Sequence, residues 1–275
     1  MTFDPIPALQ SLGYTEREAS FLCLVAAHSG YFLRRQFNSF IDRHKGFIAH
    51  RFLEKAHAAG HVETIDYGQG FYIYHLFSKP LYRLLGNPES QNRRRKGDGT
   101  IRARLMALDY VLENDNEHYL ESEAERLRIL TEARGIRPEA FPGWLPFSGA
   151  FPVSVADRRH PATSLVRFAF IDEGLRSMRR FSRFLTDMAP LFDALGTFEL
   201  VYTACSTYNF PGAEHEFRRR FQLLVPSRQG TLLPGLEHGP GNRRVARDAQ
   251  FTTLLFHHSY PSIQRNEPRG SAPGS

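Results

Sequence analysis

Lysine is scarce in this chain of 275 residues: there are four, against 31 arginines, and none follows Lys96. A hydrolytic centre that sets an ammonium group beside metal-binding carboxylates has none to use beyond that point. A GC-rich genome raises Arg at the expense of Lys, so the ratio by itself says little about function. Cysteine is rarer still. Cys23 and Cys205 are the only two, which excludes a disulfide framework, and neither sits in a paired-ligand spacing. Cys23 lies in an apolar helical stretch and reads as a buried structural thiol. No apolar run approaches the roughly 18 residues of a membrane span. The longest candidate, Phe21 to Ala27, is cut off by His28 and Gly30. The opening Met-Thr-Phe-Asp-Pro lacks the basic start and apolar run of a signal peptide, so a reduced, cytoplasmic protein is expected. A Gly-rich phosphate loop, a nucleophile elbow and a His-Glu-x-x-His pair are all missing, and no cofactor is expected.

What is present is enough for ordered structure: 41% apolar and 13% aromatic residues. The length accommodates two domains. Charge divides unevenly along it. Residues 1–104 carry 15 Lys and Arg against 9 Asp and Glu, whereas residues 105–275 carry 20 of each. The whole basic surplus thus lies in the first part, as expected of a region facing a polyanion.

Thr15-Glu16-Arg17-Glu18 is a capping box. The helix after it sets Phe21, Leu22, Leu24, Val25 and His28 on or near one face and stops at Gly30. A second helix is predicted from Leu33 to Phe40, then a turn over Asp42 to Gly46. A third follows from Phe47 to Ala59, with Ile48, Phe52, Leu53 and Ala56 inward and Gly60 at its end. His61–Asp66 and Phe71–Phe77 alternate as strands around Tyr67-Gly68-Gln69-Gly70, whose glycines suit a tight hairpin. Three helices and a hairpin in this order predict a winged helix-turn-helix that binds double-stranded DNA.

With the third helix in a major groove, Arg43, His44, Lys45, His50, Arg51 and Lys55 are the candidate contacts. Arg can fork onto guanine, while Lys and His mostly reach phosphate. Arg34 and Arg35 open the second helix, where the DNA backbone would pass, and Gln69 at the hairpin tip would reach an adjacent groove. The bland alternative is a solvated helix in a protein-binding domain. A further helix is predicted over Ser78–Gly86. Residues 87–100, containing Arg93-Arg94-Arg95-Lys96, then read as a flexible linker, a tether or a phosphate-tracking arm. The layout of residues 10–115, with its Leu-Tyr-Arg-Leu-Leu-Gly closing helix and basic linker, resembles the replication-relaxation group of winged-helix proteins of plasmids and integrative elements. That resemblance implies control of replication or transcription on a mobile element.

Beyond the linker, helices are predicted over Ile101–Glu113 and Glu117–Arg134. An irregular stretch from Gly135 to Arg159 should hold one strand, Phe151–Ala156. Strand Leu165–Ile171, helix Leu175–Leu195 and strand Phe198–Ala204 form a βαβ-like unit. Glu214–Leu224 begins as a charged helix, and Val245–His257 holds a final element. Asp157 and Asp172, with Glu173, are the pair that would hold a metal in a nuclease-like domain, the alternative reading; a non-catalytic adaptor of a mobile-element complex is a third. His57 and His61 are four apart but flank a helix end, and His257-His258 reads as structural. Cys205-Ser206-Thr207 follows a strand without an evident base. Arg176, Arg179, Arg180 and Arg183 share an outer helix face. The expectation is an α+β protein: a winged helix-turn-helix (1–90), a basic linker (91–100), an α/β domain with a small mixed sheet (101–261) and a disordered tail (262–275). It would bind DNA as a homodimer, because one winged helix buries a modest interface.

Overall fold

The computed structural model describes residues 4–42, 47–143, 151–174, 177–221 and 248–256. Over these the chain forms two compact units that meet in sequence between Glu113 and Asn114. The expected tail, 262–275, lies outside the described residues.

The first unit opens with α1 (Ile6–Ser11) and α2 (Glu16–His28). The Thr15 capping box is formed in both directions: Thr15 Oγ1 accepts from Glu18 N–H, and Glu18 returns to Thr15 N–H. Then come β1 (Tyr31–Phe32), α3 (Arg34–Phe40), α4 (Ile48–Ala58), β2 (Val62–Asp66), β3 (Tyr72–Leu76), α5 (Lys79–Leu84) and α6 (Asp98–Glu113). The strands make an antiparallel sheet in the order β1-β3-β2. Phe21, Phe32, Phe37 and Phe52 pack ring against ring at its centre, with centroids 4.2–6.0 Å apart.

Register decides what each face of this sheet touches. Tyr31 pairs with His75, and His75 with Glu63; Phe32 pairs with Tyr74, and Tyr74 with Thr64. Because side chains alternate along a strand, Phe32, Tyr74 and Thr64 share one face. That face meets the helices: Phe32 packs on Phe21 and Phe52, and Thr64 Oγ1 lies 2.7 Å from His57 Nε2 of α4. Tyr31, His75, Glu63, Ile65 and Ile73 point the other way, and Ile65 and Ile73 are buried as well.

The covering of that second face includes residues 91–98, which the sequence reading takes for a free linker. The Asn92 amide donates to the carbonyls of Ala26 and Ala27, capping the open end of α2. Lys96 N–H donates to the Tyr31 hydroxyl at 2.8 Å, and the Tyr67 hydroxyl donates to Asp98 at 2.8 Å. The strap passes so close to Gly30, at φ +78°, that a Cβ there would stand 2.1 Å from the Asn92 carbonyl oxygen.

Helix α6 also belongs to the first unit. Its Asp109 carboxylate is buried and takes both guanidinium nitrogens of Arg35, at 2.8 and 2.7 Å, together with the Gln36 amide at 2.9 Å. Gln36 donates to the Leu105 carbonyl as well and accepts from Leu33 N–H. Ile48, expected inward, is half exposed at the start of α4.

The second unit is a five-stranded mixed sheet in the order β4-β5-β6-β7-β8, built from β4 (His118–Tyr119), β5 (Val153–Val155), β6 (Val166–Asp172), β7 (Thr197–Ala204) and β8 (Asp248–Leu255). β6, β7 and β8 are parallel, and α8 (Arg179–Leu195) connects the first two. Alternation sends Val166, Phe168, Phe170, Phe198, Leu200 and Tyr202 into a core with Phe181, Phe184, Met188 and Phe192 of α8. α9 (Phe210–Arg220) adds Phe217 to it. The predicted helix over Glu117–Arg134 begins later than expected. β4 occupies 118–119, and α7 (Glu123–Leu127) starts where Ser122 caps Glu125 N–H, running on as a wider turn over Arg128–Ala133.

Two substitutions test this packing. Asp109→Ala strands a guanidinium and an amide; because Arg35 keeps 34% of its side-chain exposure, the loss should sit at or below the low end for buried pairs, about 2–3 kcal/mol. Gly30→Ala should cost at least about 1–2 kcal/mol from its left-handed backbone alone, with the strap clash added. Urea unfolding followed by ellipticity reads both, and a change under about 0.5 kcal/mol in either contradicts the packing described.

Candidate nucleic-acid interface

Helix α4 turns Ala49, Phe52, Leu53 and Ala56 inward, which leaves His50, Arg51 and Glu54 on its outer face. Of the expected contacts, Arg51 alone among the described residues of this helix is an exposed cation without an ion pair. His50 Nε2 lies 3.2 Å from Glu54 Oε1. Lys55 reaches back to Glu18 at 2.6 Å and to the Gly13 carbonyl at 2.8 Å, with its ammonium 5.4 Å from the centre of the Tyr14 ring. It thereby braces α4 against the start of α2. Arg35 is occupied by Asp109, while Arg34 is exposed at the start of α3. Arg43, His44 and Lys45 lie outside the described residues.

At the hairpin tip Gly68, Gln69 and Gly70 have φ of +85°, +53° and +76°. The two glycines allow this turn, and it presents the Gln69 side chain to solvent. Tyr67 N–H donates to the Phe71 carbonyl and Phe71 N–H to that of Gly68, while Asp98 holds the Tyr67 hydroxyl at the base. The tip is therefore preshaped, and it and the outer face of α4 are exposed.

Arg94 and Arg95 are exposed on the strap, with Arg93 half-buried. The run is held in place by Asn92 and Tyr31. Counted to Glu113, the first unit carries 15 Lys and Arg against 11 Asp and Glu, a smaller surplus than at residue 104 because Asp109 and Glu113 fall inside it.

Beneath the strap His75 stacks on Tyr31, with centroids 4.3 Å apart, and its Nδ1 lies 2.9 Å from Glu63. Burial pulls its pKa below the ordinary 6.5 despite Glu63, and the nearby Arg95 adds to the fall. Burial likewise lowers His61, whose Nδ1 meets the Tyr14 hydroxyl at 2.8 Å.

The other candidates, where described, lie apart on separate elements. Val155 pairs with Val166, so Asp157 lies beyond the start of β6, while Asp172 ends that strand. Six residue steps of about 3.3 Å separate the two ends, roughly 20 Å, too far to share a metal. Asp157 bonds His160, and Asp172 is buried under the Tyr202 hydroxyl, the Asn209 amide and Gly174 N–H. His57 and His61 turn to different partners, Thr64 and Tyr14. Among the described residues no three His, Cys, Asp or Glu groups could hold a metal ion, and no helix is long and apolar enough to cross a membrane. Arg180 pairs with Glu173, and Arg183 lies 3.6 Å from Asp187. Cys205 is half-buried after β7, Ser206 caps the turn that follows, and Arg176 and His257-His258 lie outside the described residues.

The strap's anchoring is the feature sequence reasoning missed. Its signal was faint: one Asn in a polar stretch, bonded to residues 65 and 66 positions away. Comparison with protein families, with curated proteins and with solved structures found no match.

His61 and His75, whose pKa values burial lowers, set a pH dependence. A histidine held neutral by burial binds its proton more readily in the unfolded chain, so stability is complete above about 6.5 and falls as the pH drops through that value. Urea midpoints should fall between pH 7.5 and 5.5, and the fall should shrink in His61→Gln/His75→Gln. An unchanged slope in the double variant contradicts the assignment.

Proposed function

We propose that this chain binds double-stranded DNA through a winged helix-turn-helix, with α4 as the recognition helix and the β2–β3 hairpin as the wing. The carrying observation is a combination. The element order α2-β1-α3-α4-β2-β3 has sheet order β1-β3-β2, and it presents the exposed Arg51 and the preshaped Gln69 tip. Arg51 is the residue that would read a base edge, since its guanidinium can fork onto guanine. The wing would contact an adjacent groove, and Arg34 a phosphate.

The biological role we infer is regulation of transcription or replication, on the strength of the resemblance to replication-relaxation proteins of mobile elements. A homodimer would join two half-sites, each with the modest interface of one winged helix. The nuclease-like alternative loses its main support with the separation of Asp157 and Asp172.

Fluorescence anisotropy of the full chain against random and genomic duplex pools, at two salt concentrations, tests the proposal. Binding should weaken steeply with salt and enrich one sequence. Arg51→Gln should weaken binding to the enriched duplex by about 1–3 kcal/mol, roughly 5- to 150-fold, and reduce discrimination at one base pair. Absence of binding at low salt, or an Arg51→Gln protein that discriminates as well as wild type, overturns it.

A further inference from the structure

The cations of the first unit fall into two groups, and the three-stranded sheet lies between them. α4 packs on the face carrying Phe32, Tyr74 and Thr64. The strap runs over the face carrying Tyr31 and His75, through the Tyr31 hydroxyl. The groups also differ in how their charge is balanced. On the helix side Lys55, His50 and Arg35 each have a carboxylate partner. On the strap Arg93, Arg94, Arg95 and Lys96 form no ion pair with any described residue.

Burial, with Arg104 and Arg94 nearby, lowers the Lys96 pKa, and the Nε of Arg93 is buried with no hydrogen-bond partner. Longer blocks of like charge, about five or six residues and more, are commonly disordered; this run of four is short enough to be held. Here Asn92 caps α2, the Tyr31 hydroxyl bonds the strap backbone at Arg94 and Lys96, and Asp98 meets Tyr67, so the run is held in place. Glu89 lies near Arg93 and Arg94 but pairs with Lys79, so the run keeps a net positive charge held in place. That suits a polyanion with regularly spaced charge, whose released counterions favour binding.

We propose that the strap Arg93–Lys96 is a second DNA-binding surface, separate from α4 and on the opposite side of the sheet, that grips the phosphates of a second duplex segment. This rests on the DNA-binding reading above. One chain would then bridge two duplex segments, reading sequence on the helix side and holding backbone on the strap side.

The test is capture. The full chain is added to a bead-tethered duplex carrying the enriched sequence, and retention of a second, fluorescent duplex of unrelated sequence is measured across salt concentrations. Wild type should capture it. Arg94→Gln/Arg95→Gln/Lys96→Gln should lower capture at least tenfold and reduce the slope of log affinity against log salt for the second duplex by about 2–3, roughly 0.9 per lost phosphate contact. Arg94→Lys/Arg95→Lys should retain capture, because phosphate requires charge and not a fork. Wild type that binds the tethered duplex but captures nothing overturns the strap proposal alone. So does capture that survives the triple Gln change and fails with Arg51→Gln, which would mark a dimer presenting two α4 helices. Capture that an acidic polypeptide replaces but DNA does not would also overturn it. Wild type that fails to bind even the tethered duplex ends both readings.

Discussion

A three-stranded sheet with apolar or aromatic side chains on both faces must be covered on both, and the first unit is organised by that need. Phe32 and Leu76 of one face meet the helices; Tyr31, Ile65, Ile73 and His75 of the other would otherwise stand in water. Burying a side chain of this kind contributes on the order of 1.5–3 kcal/mol, and several of them together offset part of the cost of ordering a polar stretch, about 1–2 kcal/mol per residue. Residues 91–98 supply part of that cover, and α6 follows from them. Asp109 then ties α6 to α3 through Arg35 and Gln36, so the helices of the candidate interface and the strap belong to one packed body.

This arrangement reassigns charge. Arg35 and Lys55, which look like surface cations in the sequence, have structural work: one neutralises a buried carboxylate, the other joins α4 to the capped start of α2. Cations engaged in this way lend little to a polyanion, because moving them would leave Asp109 or Glu18 unpaired. Arg51 on the helix side and the Arg93–Lys96 run on the strap side keep their charge available. The count of basic residues thus overstated the helix and understated the strap.

Local chemistry was legible where it is short-range and repeats. The Thr15 capping box, the Gly68-Gln69-Gly70 tip, the β6–α8–β7 unit and the order of helices before the first hairpin all follow from patterns within a few residues. β1 was not legible, since two residues show no period, and Tyr31-Phe32 becomes a strand only because β3 pairs with it. The strap was hidden for the opposite reason: its bonds join Asn92 to Ala26 and Tyr67 to Asp98, partners far apart in the chain. The Asp157–Asp172 pair fails on register, which composition and periodicity do not encode. The helix over 117–134 starts only at Glu123 because Ser122, three residues before Glu125, is its N-cap, a signal that the periodicity of the apolar residues does not carry.

The central claim, that α4 and the hairpin tip meet the duplex, is tested most directly by amide hydrogen exchange on the full chain with and without its enriched duplex. The account predicts added protection over residues 48–58 and 67–71, with the β6–α8–β7 segment unchanged. Protection confined to the second unit, with α4 and the tip exchanging as in the free protein, would contradict it.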